Sequence, residues 1–261
     1  MVQHMVKDSF PVSGVNVHSS NEEKAIWKKR KELMDSCPVP DNEFLDNLGL
    51  FLNSKNLSRL LFFDYLYRQI LDVQGVILEF GTRWGPNISL MSALRGIYEP
   101  FNRLRTLVAF DTFTGLSECA AQDAGGSGAY FKKGDLAVSA GYEHYLDQVM
   151  ALHEAENPLS HIKKYKIIKG DAAMTFAQYL KEHPETIVSL AFFDMDIYTP
   201  TRDCLLLLKD RLVRGSVVGF DELNDPLAPG ETLALHEVFG LNNIRLKRYP
   251  HAARVSYFVV E

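Results

Sequence analysis

The chain has 261 residues, of which 46% are hydrophobic and 23% charged, a composition typical of soluble globular proteins. Its 28 basic and 33 acidic residues give a net charge of -5. No long basic run is present, which argues against a duplex nucleic-acid partner because phosphate neutralisation needs a concentrated basic face. Apolar runs such as 187–193 are too short to span a bilayer, so no membrane location is expected.

The cysteines favour a reducing compartment. Cys37, Cys119 and Cys204 are widely spaced and form no CxxC pair, so neither a disulfide framework nor a structural zinc site is expected. The first residues, MVQHMVKDSF, lack the apolar segment of a signal peptide. We therefore expect a cytoplasmic protein.

Residues 1–72 predict an arm followed by helices. The first 20 residues are polar and mixed, which is typical of a loose arm. Asn21 is a candidate cap of the first helix, because acidic residues follow it. Two further helices are predicted near 42–54 and 57–72 from apolar residues at three- and four-residue steps. We expect this region to form a cap or the contact surface of a homo-oligomer.

From residue 73 to 261 the pattern alternates between apolar strands and helices. It predicts one α/β domain with a doubly wound, mostly parallel sheet. The last two strands flank Pro250 and His251 and predict an antiparallel hairpin. The predicted parallel strands are 76–80, 106–110, 166–168, 187–193 and 216–220, the helices are 87–98, 172–183 and 201–212, and the hairpin strands are 243–249 and 254–260.

An insertion at 117–165 interrupts this alternation. Five of its residues between 125 and 141 are glycines, which predicts a long flexible loop. Long loops inside compact domains are usually functional, so we expect this segment to act as a lid.

Acidic residues lie at or just after the carboxyl ends of the predicted parallel strands. They are Glu79, Asp111, Asp171, Asp194 and Asp221. Ligands of open α/β sheets bind outside these strand ends, so the pattern predicts a site for hydroxyls, amines or a metal. The alternative is that some of these residues cap helices, and for Asp171 both interpretations stay open.

The segment Glu79-Phe-Gly-Thr-Arg-Trp-Gly85 follows the first strand. Its glycines permit a tight turn and close approach of a ligand. The segment is not the dinucleotide motif GxGxxG. Asp111, one strand later, is placed to accept hydrogen bonds from a ribose diol, a role that suits S-adenosylmethionine and NAD equally.

Two acidic pairs, Asp194/Asp196 and Asp221/Glu222, follow strands predicted to be neighbours. Oxygen-rich ligand sets suit hard cations such as Mg²⁺, and clustered carboxylates repel one another unless something neutralises them. A salt-bridged or solvated acidic cluster is the alternative. His144 lies in the predicted loop, where it faces either a substrate or solvent. No GxSxG or HExxH motif supports a hydrolase.

Several motifs together resemble the macrocin O-methyltransferase family, which methylates sugar hydroxyls in natural-product pathways. The match runs from about residue 76 to the C-terminus and rests on ILEFGTRWG, VAFDTFTGL, IIKGDAAMTF, FFDMDIYTPT and VVGFDELNDPLAPGETLALHEVF. The resemblance implies the Rossmann-like fold of class I methyltransferases, S-adenosylmethionine as cofactor, Mg²⁺ or another divalent cation, and a sugar or glycoside acceptor.

The resemblance also implies roles for individual residues. Asp196 would be the general base, with His144 as a second candidate, and the metal would be held by Asp194, Asp221 and Glu222. The family usually has Asp-Asp where this chain has Asp221-Glu222, so Glu222 departs from the pattern. The cofactor would be bound by Glu79, Gly81, Thr82, Asp111, Thr112, Phe113, Gly170 and Asp171.

Two other classes of protein are compatible with a similar sheet. An NAD-dependent or nucleotide-sugar oxidoreductase would carry GxGxxG and a Tyr/Lys pair, and neither is in place. A non-catalytic scaffold would be expected to lose the acidic residues, which are present. The acceptor stays open, because a glycoside, a nucleotide sugar and a small diol all offer the necessary hydroxyls.

Overall fold

The computed structural model describes residues 20–125 and 128–261. The chain divides into two compact units, Met1–Arg59 and Leu60–Glu261. The predicted N-terminal arm lies outside the described residues, apart from Ser20. No helix in the described part of the chain is long and apolar enough to cross a membrane.

The first unit contains helix α1, Asn21–Asp35. Its cap is Ser20 and not Asn21: the Ser20 hydroxyl accepts from the Glu23 N–H, and the Glu23 carboxylate accepts from the Ser20 N–H at 2.8 Å. The prediction of a helix at 42–54 is wrong, because only two short 3-10 turns form there, Asp41–Glu43 and Leu48–Leu50. Short helices need tertiary packing, and three leucines of this segment, Leu45, Leu48 and Leu50, are exposed.

The second unit is built on a seven-stranded sheet in the order β5-β2-β1-β6-β7-β9-β8. The first five strands of that order are parallel, and β9 pairs antiparallel with both β7 and β8. The doubly wound sheet and its C-terminal antiparallel pair are thus confirmed. The strands are β1 (Val76–Phe80), β2 (Leu107–Asp111), β5 (Tyr165–Lys169), β6 (Val188–Phe193), β7 (Leu212–Phe220), β8 (Lys247–Arg248) and β9 (Ser256–Val259).

Helices cover both faces of this sheet. One apolar core contains residues of α2, α3 and α4, and the other contains residues of α5, α6 and α7. Along β1, Ile77 enters the first core, whereas Leu78 and Phe80 enter the second, as the two-residue period of a strand requires. The helices are α2 (Ser54–Gln69), α3 (Pro86–Tyr98), α4 (Tyr142–Ala155), α5 (Ala172–Glu182), α6 (Tyr198–Leu208) and α7 (Gly230–Phe239).

The predicted loop at 117–165 contains more structure than expected. It holds α4, a 3-10 turn at Ala121–Asp123 and a small antiparallel pair, β3 (Ala124–Gly125) and β4 (Gly128–Ala129). Helix α4 forms because Leu146 and Met150, four residues apart, are buried in the core. Helix α7 was not predicted either.

The strand order reverses between β1 and β6. From β1 the chain winds outward through β2 to β5, then returns to β6 beside β1 and winds the other way to β7. The loops that leave β1 and β6 diverge to opposite faces, and such a reversal opens a crevice at the carboxyl ends of the two strands. The site is therefore expected beyond Phe80 and Phe193.

Candidate active site

Four phenylalanines fix the position of this crevice. Phe80 is in register with Phe110 and with Phe193, and Phe193 is in register with Phe220. Their rings stack with centroids 4.8–5.3 Å apart. Because the four lie level with one another, the residues that follow them lie side by side: Gly81, Asp111, Asp194 and Asp221.

Gly81 permits the closest backbone approach in the crevice. Its φ is +87°, and a Cβ at this position would lie 1.9 Å from the carbonyl oxygen of Asp194. Both facts exclude a side chain here, so this glycine lets the loops after β1 and β6 meet.

Glu79 and Thr82 hold the loop after β1. Glu79 is fully buried, and its carboxylate accepts from the Asn87 amide at 2.8 Å and from the Thr82 hydroxyl at 3.2 Å. Thr82 is buried as well. These bonds tie the start of α3 to the end of β1, so both predicted cofactor residues stabilise the loop itself.

Asp111, the last residue of β2, joins the loop after β1 to the loop after β2. Its carboxylate accepts from the Arg83 N–H at 2.7 Å and from the Phe113 N–H at 2.5 Å. Burial raises the pKa of Asp111, and these N–H groups and the Arg83 charge oppose that rise. Thr112 donates to the carbonyl of Gly115 at 2.7 Å and so shapes the same turn.

Gly170 and Asp171 follow β5. The Gly170 N–H donates to the carbonyl of Asp111 at 2.9 Å, which joins the ends of β2 and β5. Asp171 caps α5, because its side chain accepts from the Met174 N–H at 2.9 Å. The capping interpretation of Asp171 is confirmed, and its contact with an adenine stays a prediction.

An acidic cluster occupies the ends of β6 and β7, and we define it as Asp196, Asp221, Glu222 and Glu231. Burial raises the pKa of Asp196, and the nearby charge of Asp221 raises it further. Burial, and then the charge of Asp196, raise the pKa of Glu222 to about 12. Burial also raises the pKa of Glu231. Ionising these carboxylates together is therefore unfavourable unless positive charge lies nearby.

Two arginines supply positive charge to the acidic cluster. Arg254, from the β8–β9 connection, forms an ion pair with Glu222 and lies 3.8 Å from Asp225. The charges of Arg254 and Arg83 both lower the pKa of Asp196. The Nε atom of Arg83 is buried and has no hydrogen-bond partner among residues 20–125 and 128–261.

The three predicted metal ligands are not assembled. Across the described residues, no group of three or more acidic, histidine or cysteine side chains is arranged to hold a metal ion. Glu222 instead turns toward Arg254 and Asp196. The donor chemistry fits a hard cation, since Glu222 Oε1 is buried without a hydrogen-bond partner in the described part of the chain.

His144 does not lie in a loop. It occupies the first turn of α4, where its side chain is 84% exposed and 4.0 Å from Glu143. This is the surface location that was the alternative to a catalytic role.

Four residues of the candidate site were not predicted from the sequence. Arg83 lies inside EFGTRWG and Glu231 inside PGETLALHE, so the motifs themselves were a usable signal. Tyr130, from the 117–165 insertion, is close enough for Arg254, Glu222, Asp225 and Asp196 to perturb its pKa, which burial raises. No motif around Tyr130 or Arg254 in the sequence indicates that either residue belongs to the site.

Comparison with known proteins supports the fold and the class. No protein-family model and no curated protein matches the sequence. Among solved structures, the chain is similar to the crystal structure of CalS11, calicheamicin methyltransferase. The identity is 40% over 97% of this chain and 98% of that one, with a TM-score of 0.88.

A second structure of CalS11, described as a TDP-rhamnose 3'-O-methyltransferase of calicheamicin biosynthesis, is 38% identical. It covers 93% of this chain and 96% of that one, with a TM-score of 0.82. The O-methyltransferase NovP shares the fold at 18% identity over 78% of this chain and 79% of that one, with a TM-score of 0.57.

The strand order and these neighbours define a Rossmann-like methyltransferase. More narrowly, the chain belongs to the O-methyltransferase family that includes CalS11, and the resemblance to the macrocin O-methyltransferases is confirmed.

Proposed function

We propose that this protein transfers the methyl group of S-adenosylmethionine to a hydroxyl of a sugar, either on a nucleoside diphosphate or on a glycosylated natural product. The observation that carries the proposal is the 40% identity to CalS11 over nearly the whole of both chains. The crevice at the carboxyl ends of β1 and β6 is where a cofactor binds in such sheets, which supports it further.

The loops after β1 and β2 fit this cofactor. S-adenosylmethionine, when bound, supplies an electrophilic methyl group on a sulfonium. Asp111 presents a half-buried carboxylate suited to a ribose diol, with Thr112 and Phe113 beside it. The unpartnered Nε–H of Arg83 suits an anionic group such as the methionine carboxylate. Asp171 and Gly170 would lie toward the adenine.

Asp196 is the proposed general base, which takes the proton of the acceptor hydroxyl as that oxygen attacks. A base must be ionised, and burial opposes this by raising the pKa of Asp196. The hydrogen bond with Glu222, and then the positive charges of Arg254 and Arg83, lower that pKa and favour the carboxylate. The arginines thus prepare the base as well as neutralising the cluster.

We also propose that a divalent cation joins the acidic cluster when the acceptor binds. Asp194, Asp221 and Glu222 would hold it, and it would orient the acceptor hydroxyl and lower its pKa. The support is the excess of carboxylates over arginines and the unpartnered Glu222 Oε1. Glu222 would first have to leave Arg254.

Calorimetry tests the proposed cofactor. We expect S-adenosylmethionine to bind and NAD to give no heat of binding, because the loop after β1 lacks the GxGxxG phosphate-binding pattern. Binding of NAD in preference to S-adenosylmethionine would favour an oxidoreductase and overturn the proposal.

Asp111→Ala is expected to weaken S-adenosylmethionine binding by about 1.5–3 kcal/mol, since a charged acceptor of the ribose would be lost. The same calorimetric titration measures the change. Asp210→Ala, at an exposed position on the 3-10 turn Lys209–Arg211, is a surface control and should leave the affinity unchanged. Equal affinities of a folded Asp111→Ala protein and the wild type would remove Asp111 from the cofactor site.

Chelation tests the metal. We expect EDTA to abolish methyl transfer and restored Mg²⁺ to recover it, whereas S-adenosylmethionine affinity should change little. The reason is that the proposed cation contacts the acceptor and not the cofactor. Full transfer in EDTA would show that Arg254 and Arg83 are the only cations the acidic cluster needs.

A further inference from the structure

The loop between β6 and α6 holds Asp196 in an unusual backbone conformation. Asp196 has a φ of +64°, in the left-handed region that few non-glycine residues adopt. The loop is a tight turn, because the Ile197 N–H donates to the Met195 carbonyl at 2.7 Å. A conformation of this kind persists only where the surroundings hold it.

Glu231 is the side chain that holds this loop. It lies in the first turn of α7 and is completely buried. Its Oε1 accepts from the Met195 N–H at 3.0 Å, and the Asp196 N–H faces the same carboxylate. The carboxylate therefore accepts from two consecutive backbone N–H groups, one on each side of the Met195 α-carbon.

Gly230 allows α7 to begin this close to the loop. A Cβ at Gly230 would lie 2.3 Å from Oδ1 of Asp123 and 2.6 Å from the backbone nitrogen of Tyr198. That Oδ1 already accepts from the Tyr198 N–H at 2.6 Å. Asp123 thus holds the start of α6 from one side, and Glu231 holds the preceding loop from the other.

A buried carboxylate among other carboxylates is costly for stability. Removing a charge from water is unfavourable, and an apolar side chain of similar size would fill the space at lower cost. What an apolar side chain cannot do is accept the N–H groups of Met195 and Asp196. The feature that distinguishes Glu231 is thus its control of the loop conformation.

We propose that Glu231 is a positioning residue that sets the direction of the Asp196 carboxylate toward the acceptor hydroxyl. This inference rests on the proposed function, in which Asp196 is the general base. Glu231 itself contacts neither cofactor nor acceptor. It acts through the backbone of the loop.

Two variants separate the hydrogen bond from the volume of the side chain. Glu231→Gln keeps an oxygen that can accept from Met195, whereas Glu231→Met keeps the length and loses the acceptor. We expect Glu231→Met to lower kcat by about 10²-fold, as small displacements of a reacting group do, with the KM for S-adenosylmethionine little changed. Glu231→Gln should recover most of kcat. His236→Gln, on an exposed position of α7, is the matched control.

Hydrogen exchange followed by mass spectrometry gives a readout independent of activity. The Met195 amide should be protected in the wild type and in Glu231→Gln, and should exchange faster in Glu231→Met. A fast-exchanging Met195 amide in the wild type would overturn the proposal, and this holds even if Glu231→Met does not fold. Wild-type kcat in Glu231→Met, or loss of kcat in Glu231→Gln with Met195 still protected, would also overturn it.

These outcomes are distinct from failure of the proposed function. If Asp196→Asn kept full activity, Asp196 would not be the base, and the exchange of Met195 would still report whether Glu231 holds the loop. If Asp196→Asn is inactive and Glu231→Met is fully active, the base is right and the positioning role is wrong.

Discussion

Replacing Asp196 by asparagine is expected to lower kcat for methyl transfer by about 10²–10⁴-fold, the usual contribution of a positioned general base. Asparagine has nearly the same shape and cannot take the proton of the acceptor hydroxyl. Steady-state kinetics with an identified sugar acceptor measure the loss. Affinity for S-adenosylmethionine should be unchanged, because the cofactor is assigned to the loops after β1 and β2.

Asp210→Asn is the control for this substitution. Asp210 is exposed on the 3-10 turn that follows α6 and lies just before the amino end of β7, whereas the site lies at the carboxyl ends of the strands. It should retain full activity. If Asp196→Asn kept kcat within about threefold of the wild type, far short of the expected loss, no proton would pass through this side chain and the assigned mechanism would fail.

Replacing Arg105 by methionine is expected to lower the free energy of unfolding by about 3–5 kcal/mol, the cost of breaking a buried ion pair by removing one partner. Arg105 is 2% exposed and donates to the carbonyls of Ile70, Val73 and Gly75 and to the Glu99 carboxylate. It also donates to the Ser189 hydroxyl at 2.7 Å. Methionine would leave these acceptors buried without their donor.

Urea denaturation followed by circular dichroism measures this loss, with Arg103→Met as the control because Arg103 is exposed. Gly75 and Ser189 lie at the amino ends of β1 and β6, opposite the site. The fraction of Arg105→Met that stays folded should therefore keep the wild-type kcat. A change in unfolding free energy below about 1 kcal/mol, the size expected of a single neutral hydrogen bond, would show that water replaces the lost hydrogen bonds.

The parallel strands were predictable because each contains a short apolar run, which in β1, β2 and β6 is buried on both faces. Four of them end in phenylalanine followed by glycine or aspartate, and the structure shows why: the rings stack in register across β2, β1, β6 and β7. The same repetition in the sequence places Gly81, Asp111, Asp194 and Asp221 at one level. The acidic strand ends therefore predict a candidate site at this edge of the sheet.

The helices that depend on tertiary packing were harder to predict. Helix α7 begins directly after Pro229, and the loop-forming residues Asn224 to Pro229 mask its start. The segment 42–54 has helical spacing of its leucines, but they are not buried and the segment forms only short turns. Periodicity alone does not distinguish these two cases.

The side chains that reach the acidic cluster from distant segments, Arg254 and Tyr130, could not be predicted from local sequence. Arg254 follows Glu222 by 32 residues and reaches it only because β9 pairs antiparallel with β7. Tyr130 is carried into the same region by the insertion after β2. Contacts between segments so far apart in the sequence depend on the packed fold. The positions of the carboxylates, by contrast, can be predicted from where the strands end.

The most direct test of the central claim is a transfer assay with S-adenosylmethionine that carries a deuterated methyl group. The wild-type protein is incubated with nucleoside-diphosphate sugars, with glycosides and with small non-sugar diols, and the products are read by mass spectrometry. We predict that the label appears on a sugar hydroxyl, and the first two arms distinguish a nucleotide sugar from a glycoside. Label found only on non-sugar diols, or no transfer to any acceptor by a protein that binds S-adenosylmethionine, would contradict the account.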